Sequence, residues 1–242
     1  MKELGGGVAF ITGGSKGIGF GIAKAFINQG INVAITSRSK ASAEEAAANL
    51  MERATGSGEI LPLQADVRNY EDQVKAVKAV IDKFGKLDYV IANAGLGHFS
   101  TVESLTVEQW KETIDTNLSG AFYTLKASVE PLKQTKGYYI SISSLAGTNF
   151  FAGGAAYNAS KFGLTGFTQA AMLDLRAYGI KVTTVMPGSV ATHFNGNDPD
   201  ESDSWKIQIE DIGQIVVDLL KMHPRTLPSK IEVRPSIPPG AK

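Results

Sequence analysis

Short apolar runs rich in β-branched residues recur along the chain, and each is followed by a longer stretch in which apolar residues return every three or four positions. Uninterrupted apolar runs are the mark of strands buried on both faces, and the longer period is that of helices laid over them. The runs predict strands at 8–12, 32–37, 60–65, 89–93, 138–143, 181–186 and 230–234. The intervening pattern predicts helices at 17–29, 43–54, 70–84, 107–133, 155–177 and 211–222. Strand and helix alternating in this way build βα units on a parallel sheet. Right-handed crossovers then place helices on both faces and leave a crevice beyond the carboxyl ends of the strands. The expected architecture is one α/β domain over residues 1–242, a doubly wound, seven-stranded parallel sheet. The segment 189–210 fits neither period. With Asp198, Pro199, Asp200, Glu201 and Asp203 it reads as a flap over the crevice.

Composition narrows the chemistry. A chain of 242 residues can bury a core without disulfides or metal. Cysteine is absent, which excludes disulfides, thiolate nucleophiles and cysteine-ligated zinc. His98 and His193 are too few to argue for a metal site, and none is expected. The 24 Lys and Arg balance 24 Asp and Glu, so no field gathers phosphate backbones or anionic lipid; neither nucleic acid nor membrane is an expected partner. No apolar run approaches the roughly 18 residues of a membrane span, and residues 1–7 carry no leader-like pattern. A cytoplasmic location is therefore expected.

The first strand runs into Thr12-Gly13-Gly14-Ser15-Lys16-Gly17-Ile18-Gly19, and an amphipathic helix begins at once. Glycines at such a turn let the backbone approach a pyrophosphate, whose charge the free amides and the helix dipole hold. The spacing Gly-x-x-x-Gly-x-Gly departs from the commoner Gly-x-Gly-x-x-Gly dinucleotide fingerprint. At the end of the second strand an acid would accept the ribose 2′-hydroxyl of NAD. Ser37 and Arg38 stand there instead. Arg38 can grip a 2′-phosphate with its planar fork and Lys16 lies near the same ribose, so NADP(H) is the expected cofactor. Tyr157 and Lys161, four apart in a helical pattern, share one face. An ammonium beside a phenol brings its pKa toward the working range of an acid–base catalyst. Ser144, at the carboxyl edge of the fifth strand, is placed to share a substrate oxygen with that phenol and polarise a carbonyl.

These residues as a set, with Ala92-Asn93-Ala94-Gly95, Asn117 and Pro187-Gly188, resemble the short-chain dehydrogenase/reductase family over about residues 8–192. The resemblance implies a Rossmann-type oxidoreductase. Tyr157 would be the general acid in carbonyl reduction and the base in the reverse direction. Lys161 would lower its pKa and hold the nicotinamide ribose, Ser144 would orient the substrate oxygen, and Asn117 would anchor a water feeding protons to the lysine. Asp66 and Val67 would contact adenine. Asn93, Ala94 and Gly95 would line the cofactor, and Pro187, Gly188, Val190 and Thr192 would meet the nicotinamide. The resemblance also implies a homo-oligomer, with helices 107–133 and 155–177 pairing across a dimer. The ending Ile231-Glu232-Val233-Arg234-Pro235 lacks the paired glycines that often close tetrameric members.

His98, Phe99, Phe150, Phe151, His193 and Phe194 fall in the loops expected around the nicotinamide, with Trp205 farther along the flap. An apolar, aromatic-rich cavity suits a medium-sized carbonyl or alcohol substrate. The stretch 94–118 and the ending 228–235 look like sepiapterin-reductase-like members, and generic relatives include 3-oxoacyl carrier-protein reductases. An acidic flap disfavours an acidic carrier at the mouth. Two alternatives stand beside carbonyl reduction: reduction of a 3-oxoacyl thioester, and a regulator that senses NADP without turnover.

Overall fold

A computed structural model describes residues 3–237. The ends of the expected domain, residues 1–2 and 238–242, lie outside the described residues. Seven strands form one parallel sheet: β1 (Val8–Ile11), β2 (Asn32–Ser37), β3 (Ile60–Gln64), β4 (Tyr89–Ala92), β5 (Tyr138–Ile142), β6 (Lys181–Pro187) and β7 (Lys230–Val233). Their spatial order is β3-β2-β1-β4-β5-β6-β7. The chain therefore winds outward from β1 in one direction, returns, and winds outward from β4 in the other. The crevice opens where that order reverses, between the carboxyl ends of β1 and β4.

Buried strands read as continuous apolar runs because each face has its own helical layer. Ala9 and Ile11 of β1 face one layer, with Ile22, Phe26 and Ile27 of α1 (Gly17–Asn28), Leu50 of α2 (Lys40–Arg53), and Ile212 and Val216 of α7 (Ile209–Lys221). Val8 and Phe10 face the other, with Val77 and Val80 of α3 (Tyr70–Phe84), Leu125 and Leu132 of α5 (Gly120–Thr135), and Leu164 and Leu175 of α6 (Ala155–Leu175). Gly21 lets α1 and α7 touch: a Cβ there would lie 2.5 Å from the carbonyl oxygen of Ile209.

Four expected bounds shift for local reasons. Helix α2 begins three residues early because Ser39 caps it, its hydroxyl accepting from the Ser42 amide at 3.4 Å. Helix α7 begins two residues early on a reciprocal cap, the Gln208 amide donating to Asp211 at 2.8 Å. After Leu175, α6 tightens into a 3₁₀ turn at Arg176–Tyr178. The expected long helix 107–133 is not one regular helix: α4 (Val107–Ile114) widens into a π-helical turn at Asp115–Ser119 before α5. The segment 189–210 also differs from an irregular flap. It carries 3₁₀ turns at Phe194–Gly196 and Glu201–Trp205. Its base is closed by Ala191 N–H to Ile207 C=O at 2.9 Å and Ile207 N–H to Ser189 C=O at 3.1 Å.

Among the described residues no helix is long and apolar enough to cross a membrane. None of them form a group of three or more His, Asp or Glu able to hold a metal.

Candidate active site

One cleft of ≈ 1530 Å³ runs along the carboxyl ends of the strands. The glycine loop forms its central wall. Thr12 stitches that loop to β4, its hydroxyl accepting from the amides of Asn93 and Ala94 at 3.1 and 3.2 Å. The Asn93 side chain donates to the carbonyls of Thr12 and Gly13, both at 3.0 Å. Gly13 and Gly17 hold φ of +64° and +58°, a backbone region that side chains disfavour. A Cβ on Gly13 would come within 2.9 Å of Ala94 Cα. Gly13, Ser15, Lys16, Gly17 and Ile18 line the cleft, as do Asn93, Ala94 and Gly95. Gly19 does not. It is buried against Asn93, with a Cβ there only 2.5 Å from the amide nitrogen, so its part is packing. The cradle fits a dinucleotide: backbone lies bare where a pyrophosphate sits, at the N-terminus of a twelve-residue helix.

Ser37, Arg38, Asp66 and Val67 line the expected adenosine end. Sequence reasoning overlooked Ser39 and Ser42, which line it too and add hydroxyls at the start of α2; their Ser-x-Ser-x-x-Ser spacing with Ser37 was the available signal. Charge at this end is shared out in ways the sequence does not reveal. Asp66 is gripped by Arg68 through Nε at 3.0 Å and an Nη at 2.6 Å, which holds its carboxyl below the usual carboxylate range. Its carboxylate is thereby committed to Arg68, while its own amide donates to Asp72 at 3.1 Å and its carbonyl accepts from Gln73 at 3.2 Å. Glu112 of α4 meets Arg68 at 3.4 Å, Arg38 at 3.8 Å and His98 at 2.9 Å. Arg38 remains two-thirds exposed, so this last ion pair is weak.

At the other end, Ser144, Tyr157 and Lys161 line the cleft together. Tyr157 and Lys161 project from one face of α6. Burial pushes the Tyr157 phenol up, and the Ser144 hydroxyl bonded to it pulls the opposite way. Burial also brings the Lys161 ammonium down to about 8. Its Nζ donates to the Ile142 carbonyl at 3.0 Å and lies 5.7 Å from the centre of the tyrosine ring. Gly95 faces this lysine: a Cβ there would sit 3.6 Å from Nζ and 3.3 Å from Asn117 Oδ1.

Asn117 occupies the π-helical turn, buried behind the cleft wall. Its Oδ1 accepts from the Leu96 amide at 2.9 Å, and its Nδ2 donates to the Leu96 carbonyl at 2.8 Å and to Ser160 at 2.9 Å. The side chain clips the loop after β4 to α6. A π turn inside a helix is a frequent mark of a functional position. Asn158, which the sequence did not single out, does similar service. Its Nδ2 donates to the Ala146 and Asn149 carbonyls, both at 2.8 Å, and holds the serine loop in shape.

Pro187, Gly188, Val190 and Thr192 line the cleft, as do the aromatics Phe99, Phe151, Phe194 and Trp205. Phe99 is the hub, its ring centre 5.3 Å from Tyr157, 5.9 Å from Phe151 and 6.3 Å from Phe194. Phe150 is 86% exposed and lies outside the lining, and His98 turns away to Glu112. The acidic flap also reads differently in three dimensions. Asp198 pairs with His193 at 3.1 Å, Asp203 with Lys206 at 2.6 Å, and Asp200 caps its own turn. The flap side chains in the lining include His193 and Lys206 but none of these acids.

The short chain dehydrogenase family pattern matches residues 7–203. The trans-4-hydroxycyclohexanecarboxylate dehydrogenase of Sinomonas cyclohexanicum is 39% identical over 191 residues, 76% of this chain and 73% of that protein. A 3-oxoacyl-[acyl-carrier-protein] reductase of Synechocystis sp. is 35% identical over 198 residues, 81% of this chain and 79% of that protein. Among solved structures, an alcohol dehydrogenase from the archaeon Thermococcus sibiricus, complexed with 5-hydroxy-NADP, superposes with a TM-score of 0.87 at 30% identity, covering 95% of this chain and 97% of that one.

Proposed function

Because the chain belongs to the short chain dehydrogenase family, oxidoreductases acting between CH–OH and C=O groups, we propose that it reduces a compact ring ketone or aldehyde to the alcohol with NADP(H). The observation that carries this reading is the Ser144–Tyr157 hydroxyl pair, facing a cleft walled by aromatic rings and backed by a buried lysine. Bound NADP(H) supplies the hydride. Tyr157 delivers its phenolic proton to the carbonyl oxygen, and Ser144 holds that oxygen with its hydroxyl. Lys161 is a cation behind the phenol that offsets the charge left on it, and Asn117 keeps the loop carrying Gly95 in register. Phe99, Phe151 and Phe194 exclude water, and the flap 189–210 covers the mouth.

The activity of the Sinomonas relative, on a hydroxylated cyclohexane ring, supports a cyclic substrate. That of the Synechocystis relative supports 3-oxoacyl thioesters as the second reading, and Asp198 and Asp203, held by His193 and Lys206 and absent from the lining, oppose it less than the sequence implies. A panel of alicyclic and aromatic ketones, diketones, pteridine carbonyls and 3-oxoacyl thioesters, followed by loss of NADPH absorbance, separates the two. Ring ketones are expected to be turned over faster than thioesters; efficient turnover of a carrier-protein thioester with indifference to rings would reverse the order.

NADPH is expected to bind about tenfold more tightly than NADH, because charge-assisted contacts contribute roughly 1.5–3 kcal/mol each and Glu112 offsets part of the Arg38 charge. Fluorescence titration of wild type and Arg38→Ala checks this; equal affinities would remove the NADP assignment, and a preference that survives the substitution would remove Arg38 as its source.

The outer faces of α4, α5 and α6 expose Trp110, Phe122, Phe162 and Leu173. An apolar surface of this kind fits pairing with a second copy, so the protein is proposed to be a homodimer or homotetramer.

A further inference from the structure

Arg234 follows β7 and lines the same cleft as Ser144 and Tyr157, a position the motifs do not reveal; Gly188 packs between Leu145 and Pro235, at 3.0 and 3.4 Å from where its Cβ would lie. The sheet puts Arg234 there. Gly188 N–H donates to the Val233 carbonyl at 2.8 Å, which sets the end of β7 beside the end of β6. The guanidinium is oriented by Glu232, whose Oε2 accepts from one Nη at 3.0 Å, while Glu232 Oε1 accepts from Thr148 in the serine loop at 3.5 Å. Arg234 is thus tied to the loop that carries Ser144, yet just one of its N–H groups has a partner among the described residues. The other cations of this end are committed: Lys161 is buried on Ile142, and Lys206 pairs with Asp203.

An aromatic wall, a proton donor and one oriented cation at the rim describe an amphipathic ligand. We propose, resting on the ring-ketone reading above, that the substrate is a cyclic oxo acid. Its ring lies among Phe99, Phe151 and Phe194, its carbonyl meets Tyr157 and Ser144, and its carboxylate docks on Arg234. A planar fork with free donors matches a carboxylate.

The test compares 4-oxocyclohexanecarboxylate with its methyl ester in wild type, Arg234→Met and Arg234→Lys. In wild type the acid should exceed the ester in kcat/KM by about tenfold, through KM. Arg234→Met should erase that advantage, the acid and the ester then being turned over with equal kcat/KM in the same variant, and Arg234→Lys should restore part of it. An ester as good as the acid, or an acid advantage that persists in Arg234→Met, overturns the proposal. A second readout needs no turnover: cyclohexanecarboxylate is titrated into the NADP-loaded protein, where Arg234→Met should bind about tenfold more weakly. If no ring ketone is reduced but this binding depends on Arg234, the carboxylate site stands and the ring-ketone reading falls. Binding equal in the two proteins sinks the site, whatever is turned over.

Discussion

Tyr157→Phe is expected to lower kcat by about 10²- to 10⁴-fold, the usual contribution of a positioned general acid, while leaving cofactor affinity within a factor of about two. The separation is possible because the ring and the hydroxyl have different tasks. The ring packs against Phe99 and Phe194, with centres 5.3 and 5.7 Å away, and phenylalanine keeps both contacts. The hydroxyl faces Ser144 and the cleft, and its proton is what the carbonyl oxygen must receive. Steady-state rates with a reducible ketone, set beside a fluorescence titration with NADPH, check both halves. Wild-type rates in this variant would point instead to an NADP-sensing protein, which needs the glycine loop but not the acid.

Lys161→Met should abolish most turnover and weaken cofactor binding, yet raise stability at neutral pH. Burial holds the ammonium at about 8, below its usual 10.5, so carrying that charge inside the fold costs free energy that the Ile142 carbonyl only partly offsets. The sign follows from proton counts. Between about pH 8 and 10.5 the unfolded chain binds a proton at this lysine that the folded chain has released, so wild-type stability from this group rises with pH through that window. The thermal stability advantage of Lys161→Met should accordingly be largest at pH 7 and shrink as pH climbs past 8. Tyr157 acts oppositely: its raised pKa withdraws stability above pH 10, where the unfolded phenol ionises first. Thermal melts of wild type and Lys161→Met between pH 6.5 and 9.5 test the lysine; a variant less stable than wild type at every pH would mean that the lysine is held at little desolvation cost.

Much of this protein is written in local pattern. The seven strands and their order of helices were legible because burial on both faces demands apolar runs such as Val8–Ile11 and Tyr138–Ile142, and because covering helices demand a 3.6-residue period. The glycine loop and the Tyr157–Lys161 pair were legible for the same reason: a left-handed turn at Gly13 and a shared helical face are properties of a few consecutive residues. What the sequence could not determine depends on which distant residues meet. Asn117 closes on Leu96 and Ser160, and Asp66 and Arg38 share their charges with Arg68 and Glu112. Asp198 and Asp203 of the flap are held by His193 and Lys206 and do not themselves line the cleft. Desolvation is the largest influence on the Tyr157 phenol, with Ser144 opposing it, and burial is set by the whole cleft and not by spacing along a helix. Arg234 shows the division most plainly. Ninety residues beyond Ser144 in the chain, it reaches the same cleft because β7 pairs with β6 in parallel register, Pro187 beside Val233, and a parallel sheet brings every carboxyl end to one edge.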